Sequence, residues 1–116
     1  MRTIRFYRTV NGASPVEQFL DSLNGKQAQK VLWVLKMIEE LATVPGQYFK
    51  KLTGTDDLWE MRVQYGGDTF RLLGFFEGAH LIILTNGFAK KSQKTPLSEI
   101  ELAERRKRDY ILRRRQ

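Results

Sequence analysis

The chain has 116 residues and no cysteine, is 41% hydrophobic and 11% aromatic, and carries a formal net charge of +7. This composition excludes a disordered polypeptide and fits one globular domain spanning residues 1–116. The absence of cysteine excludes disulfides, thiolate metal sites and a cysteine nucleophile, and a single histidine, His80, argues against a histidine-built metal site.

Residues 3–10 are rich in β-branched and aromatic side chains and predict a first strand. Ser14, Pro15 and Glu17 have the spacing of a capped helix start. Val16, Phe19, Leu20 and Leu23 follow at helical spacing, and Asn24-Gly25 is read as the stop. A second helix over 26–43 carries Val31, Leu32, Leu35, Ile38 and Ala42 on one side. Trp33, Val34, Met37 and Leu41 widen that stripe, and Trp33 and Met37 are expected in the core; exposed, they would mark a protein contact. Pro45-Gly46 ends the helix. Three strands follow over 58–65, 69–77 and 79–88, punctuated by Gly66-Gly67-Asp68 and Glu77-Gly78. His80 falls at the second of these turns and is expected on the surface. A last helix starts near Thr95-Pro96, with Ser98 and Glu101 as a second capping box. Its apolar stripe is narrow (Ile100, Ala103, the Lys107 stem, Tyr110, Ile111). The run from Arg105 to Arg108 and the arginines at 113–115 are expected on a solvated face. The fold class is α+β in the order β-α-α-β-β-β-α: an antiparallel sheet, two N-terminal helices packed on one face, and a C-terminal helix.

Alternation along the strands sorts the charges. Trp59, Met61, Val63 and Tyr65 share one face, and Glu60, Arg62 and Gln64 the other. Phe70, Leu72 and Phe76 share a face, opposite Arg71, Leu73 and Phe75. With the helical pair on the first set, Arg62 and Arg71 emerge together on a face expected to be open, flanked by Leu73 and Phe75. Beyond the last strand comes Phe88-Ala89-Lys90-Lys91-Ser92-Gln93-Lys94-Thr95-Pro96. Residues 89–116 hold ten Lys/Arg against four Asp/Glu, so +6 of the +7 lies there. Three crowded lysines have no use in a core, and the pattern points to a polyanionic partner, nucleic acid first. No long apolar run or leader-like segment is visible, so the expectation is an intracellular, cytoplasmic protein without a membrane partner.

The helix pair, Phe49-Lys50-Lys51-Leu52, Leu58-Trp59-Glu60-Met61-Arg62, Phe70-Arg71, and the stretch from Phe88 through Ala103 together resemble the phage-type HigB toxins of the RelE/ParE superfamily. The resemblance covers about residues 3–112 and is most specific in the last stretch. It implies a RelE-like fold, endonucleolytic cleavage of mRNA on the translating ribosome, and neutralisation by a HigA-like helix-turn-helix antitoxin. It also implies a free monomer that forms a hetero-oligomer with that antitoxin. Carried over by position, the basic site comprises Lys50 or Lys51, then Arg62 and Arg71, then Lys90, Lys91 and Lys94. No histidine stands at a matching position.

RNA cleavage by its own 2′-OH needs a proton acceptor, cations for the phosphorane, and a proton for the 5′-oxygen. Arg62 and Arg71 suit the phosphate clamp. A lysine from 50, 51, 90, 91 or 94, crowded by other cations, suits the base. Tyr48 or Tyr65 suits the donor, and Phe75 and Phe88 suit base stacking. No paired-carboxylate constellation is visible, so metal-free and cofactor-free chemistry is expected. A ParE-like gyrase inhibitor and a non-catalytic nucleic-acid-binding module are the alternatives.

Overall fold

The computed structural model describes residues 1–91 and 94–115; Ser92 and Gln93 of the basic stretch lie outside the described residues. Strand β1 (Thr3–Phe6) leads into helices α1 (Pro15–Asp21) and α2 (Gly25–Glu40), then strands β2 (Phe49–Lys51), β3 (Trp59–Tyr65), β4 (Asp68–Glu77) and β5 (Leu81–Ala89), and helix α3 (Leu97–Arg114). The α+β class and the helix placement follow the sequence pattern. The sheet has five strands in the order β1-β5-β4-β3-β2. It is mixed rather than purely antiparallel, because the edge strand β1 runs parallel to β5. The additional strand, β2, is the short Phe49-Lys50-Lys51 segment.

Local caps explain the helix bounds. The Ser14 side chain accepts from the Glu17 N–H at the start of α1. Asn24 starts α2 rather than stopping α1: its side chain accepts from the Gln27 N–H at 2.9 Å, and the Gln27 side chain accepts from the Asn24 N–H at 3.1 Å. Ser98 caps nothing; it lies inside the first turn of α3, whose first preceding residue, Pro96, offers no side-chain cap.

Two cores lie on opposite sides of the sheet. The α1–α2 side gathers Val16, Val31, Val34, Leu35 and Ile38 against Met61, Val63, Phe70, Leu72, Ile82 and Leu84. Trp33 does not join them; it is 56% exposed, with Leu32 and Leu41 also on the surface. Met37 packs against this core at its edge. The other side packs Ile100, Ala103 and Tyr110 of α3 onto Tyr7, Leu58, Leu73, Phe75 and Ile83. The face expected to be open is therefore covered along much of its length, and Phe75 is core. Its ring meets Tyr110 edge-on at 5.5 Å, with the Lys107 ammonium above it at 5.7 Å. That corrects the assignment of Phe75 to base stacking.

The basic run of α3 is largely spent on this packing. Arg113 pairs with Asp109 at 2.7 Å, Asp109 accepts from the Tyr7 hydroxyl at 2.5 Å, and Arg114 pairs with Glu77 at 3.0 Å. The Tyr7 bond, aided by Arg113, holds the Asp109 carboxyl below the usual range, whereas burial and then Asp109 push the Tyr7 phenol up. Lys107 reaches the Asp56 carbonyl at 2.5 Å.

One irregularity decides what faces α3. Opposite Leu73 stands Asn86, but opposite Gly74 stands Leu84, so Thr85 is an extra residue in β5. A Cβ on Gly74 would lie 2.5 Å from the Ile83 carbonyl oxygen, so only glycine fits the partner strand there. The bulged Thr85 carbonyl accepts from Arg106 at 2.9 Å. Beyond the bulge the strand parity is reversed. Asn86 and Phe88 turn to the α3 side, and Gly87 turns under the Phe19 ring.

Candidate active site

Arg62 and Arg71 are direct cross-strand partners on β3 and β4. Two like charges placed so are unfavourable unless something balances them. Glu60, two residues before Arg62 and on the same face, does this from a buried position, 2% exposed. One of its oxygens lies 3.3 Å from the Arg62 Nε and 3.4 Å from the Arg71 Nε. Neither contact is aligned as a hydrogen bond, so both buried Nε–H donors remain unsatisfied. The other Glu60 oxygen accepts from the Thr95 hydroxyl. Arg71 is itself buried and donates to the Phe70 carbonyl at 3.2 Å. Burial lowers its pKa first, and Arg62 adds to this while Glu60 opposes it. A guanidinium keeps its proton regardless, so Arg71 is a poorly hydrated cation.

Two lysines complete the group. Lys50 on β2 stands opposite Glu60. Lys90, just past β5, donates its N–H to the Thr69 carbonyl at 2.8 Å. The bulge at Thr85 is what brings Lys90 to this side. Burial lowers the Lys90 pKa most, and repulsion from Arg71, Arg62 and Lys50 lowers it further against the pull of Glu60. Four cations from four strand segments thus face one carboxylate.

The other residues singled out from the sequence divide. Lys51, one step along β2 from Lys50, turns to the opposite face and pairs with Asp57 at 2.9 Å. It leaves the group. Lys91 and Lys94 are exposed on the connection between β5 and α3. Tyr48 is near: its carbonyl accepts from the Arg62 N–H at 2.8 Å, and the residue borders the cleft beside the arginines. Tyr65 lies on the α1–α2 face of β3, at the hairpin end opposite Asp68, away from the arginines. Phe88 is opposite Arg71 but half-buried against the α3 core, so it offers little free ring surface. His80 is exposed in the β4–β5 turn.

A polar cleft of about 390 Å³ opens beside the arginines, bordered by Arg62, Arg71, Lys30, Tyr48, Gln47, Gln64 and Thr69. It lies where β2 has ended and β3 continues. The Asn86 side chain donates to Glu99 of α3 at 2.9 Å. This bond and the Thr95–Glu60 bond seat the uncapped start of α3 against the cationic group, adding the positive end of a helix dipole.

Residues 18–108 match the model of the phage-derived Gp49-like protein family (DUF891). The chain belongs to this family. Gp49-like proteins fall within the RelE/HigB-like toxins. The match runs from α1 into α3 and contains Lys50, Glu60, Arg62, Arg71 and Lys90. No curated protein matches the chain significantly.

In this Gp49-like chain, Glu60, Thr95, Asn86 and Glu99 are the site residues that sequence reasoning missed. Glu60 had a signal, since alternation places it on the arginine face; its burial and its double contact had none. Thr95 and Asn86 had no local signal, because one depends on where α3 begins and the other on the bulge.

Proposed function

We propose that this Gp49-like protein is a HigB-like toxin that cleaves mRNA on the translating ribosome and is held in check by a HigA-like helix-turn-helix antitoxin. The observation that carries the reading is the convergence of Lys50, Arg62, Arg71 and Lys90 on one buried carboxylate, with three positive charges left unbalanced. A gyrase poison has no need of such a phosphate clamp. The exposed Trp33 and Leu32 on α2, with Leu41 just past its end, supply an apolar surface for the antitoxin.

In the proposed reaction, Arg71 and Arg62 grip the scissile phosphate and bend the linkage. Lys90, in its neutral form, takes the 2′-OH proton. The 2′-oxygen forms a bond to phosphorus, and the arginines stabilise the charge that builds on the phosphorane. The phosphorus–5′-oxygen bond then breaks, and the leaving oxygen takes a proton from Tyr48 or from the protonated Lys50. General acid–base help of this kind contributes about 10²–10⁴-fold, and each placed cation adds on the order of 3 kcal/mol.

Because the Lys90 pKa is lowered, the fraction of neutral base rises with pH through a window below the ordinary lysine range. The cleavage rate should climb through that window and level off above it. Lys90→Arg should remove the climb. Folded-state Lys90 also releases its proton more readily than the unfolded chain, so stability should rise with pH over the same interval. A rate profile unchanged by Lys90→Arg would remove Lys90 from the base role.

Brief induction in growing cells, followed by mapping of mRNA 5′ ends and a plasmid supercoiling assay, tests the function. New 5′ ends within reading frames with normal supercoiling support the nuclease. Loss of supercoiling without new ends would reassign the protein as a gyrase inhibitor.

A further inference from the structure

The cleft beside the arginines has further lining that the phosphate grip does not use. Besides Arg62 and Arg71 it is bordered by Lys30, Gln47, Tyr48, Gln64 and Thr69, and among the described residues no carboxylate borders it. Tyr48 is fixed on both sides of its backbone: its N–H donates to the Pro45 carbonyl at 3.0 Å and its carbonyl accepts from the Arg62 N–H at 2.8 Å. Its side chain also packs on the α1–α2 core. Gln64 is held in β3 opposite Thr69 and projects on the same face as Arg62. Among the described residues, neither the Gln47 nor the Gln64 side chain makes a hydrogen bond. The cleft therefore offers an aromatic residue, two uncommitted amides, the Lys30 ammonium and two guanidiniums.

From this geometry we infer a nucleobase subsite: an unpaired RNA base next to the gripped phosphate lies against Tyr48, and the amides of Gln47 and Gln64 read its edge. The inference rests on the proposed phosphate grip of Arg62 and Arg71 and adds the source of sequence preference. An amide carries both a donor and an acceptor, the combination that base edges present. An aromatic ring stacks any base, and single-stranded RNA leaves its bases free to be taken. An acidic protein side chain would use the guanidiniums but would leave the ring and both amides without a role.

The test uses short oligoribonucleotides with a single 2′-deoxy sugar at the central linkage, which blocks the proposed attack, and binding is followed by fluorescence anisotropy. Each oligonucleotide is compared with a version lacking the base on one side or the other of that linkage. For the wild-type protein, removing one of the two bases is expected to weaken binding about tenfold. Gln47→Ala with Gln64→Ala should shrink the differences among the four bases at that position, and Tyr48→Leu should shrink the gap between base and no base. Circular dichroism melts verify that each variant is folded. Equal wild-type affinity for the intact and base-free strands overturns the subsite while leaving the phosphate grip standing. If, in addition, a glutamate-rich peptide loses affinity in the Gln47/Gln64 variant, the cleft belongs to a protein partner. If the wild-type protein binds none of the oligonucleotides, the phosphate grip fails and the subsite fails with it.

Discussion

Arg71→Ala is expected to lower RNA cleavage by about 10²–10³-fold, the loss typical of removing one preorganised charge donor from a transition state. Arg71 is the most desolvated cation of the group, 8% exposed, so its charge is the least screened by water. The fold should tolerate the change. Glu60 keeps Arg62 at 3.3 Å and the Thr95 hydroxyl, so no buried carboxylate is stranded. Arg71→Lys should recover only part of the activity, because an ammonium cannot present the planar fork. Primer extension gives the rates, and a thermal melt shows that the fold is intact. Wild-type cleavage by a folded Arg71→Ala protein would remove Arg71 from the site.

Glu60→Gln should act in the opposite manner, mainly on stability. The side chain keeps its shape, but Arg62, Arg71, Lys50 and Lys90 then face one another without a counter-charge. Breaking a buried ion pair by removing one partner costs about 3–5 kcal/mol. The lower end applies here, because the Arg62 side chain is 33% exposed and partly screened by water. A fall in melting temperature on the order of 10 °C follows. Inorganic phosphate should restore more of the loss in the variant than it adds to the wild type, since it replaces the missing negative charge. A Gln variant that melts with the wild type, with or without phosphate, would show that Glu60 does not balance the arginines.

These two residues show what a linear reading can reach. Strand alternation alone puts Arg62 and Arg71 on one face, and they are cross-strand partners there. The same alternation misjudged their surroundings. On pattern alone Leu73 and Phe75 flank an open face, yet the stripe of Ile100, Ala103 and Tyr110 on α3 needs an apolar partner and finds it in them. Pairing, not sequence spacing, separates Lys50 from Lys51: only the register with Glu60 and Trp59 sends them to opposite faces. Lys90 joins the group only through the Thr85 bulge, and a bulge leaves little trace beyond a glycine on the neighbouring strand. The basic C-terminal run has the pattern of solvated charge, but Arg106 and Arg114 tie α3 to the sheet, and Lys107 and Arg113 tie it to the loops after β2 and β1. Local caps and hydrophobic periods were legible in the chain, whereas features created by long-range pairing were not.

The most direct trial is a translating extract programmed with a defined mRNA and given either the wild-type protein or a folded Arg62→Ala/Arg71→Ala variant, with the RNA read by primer extension. New 5′ ends within the reading frame should form with the wild type and be absent with the variant. Identical ends from both proteins would contradict the shared cationic grip, and an intact message with the wild type would contradict RNA cleavage itself.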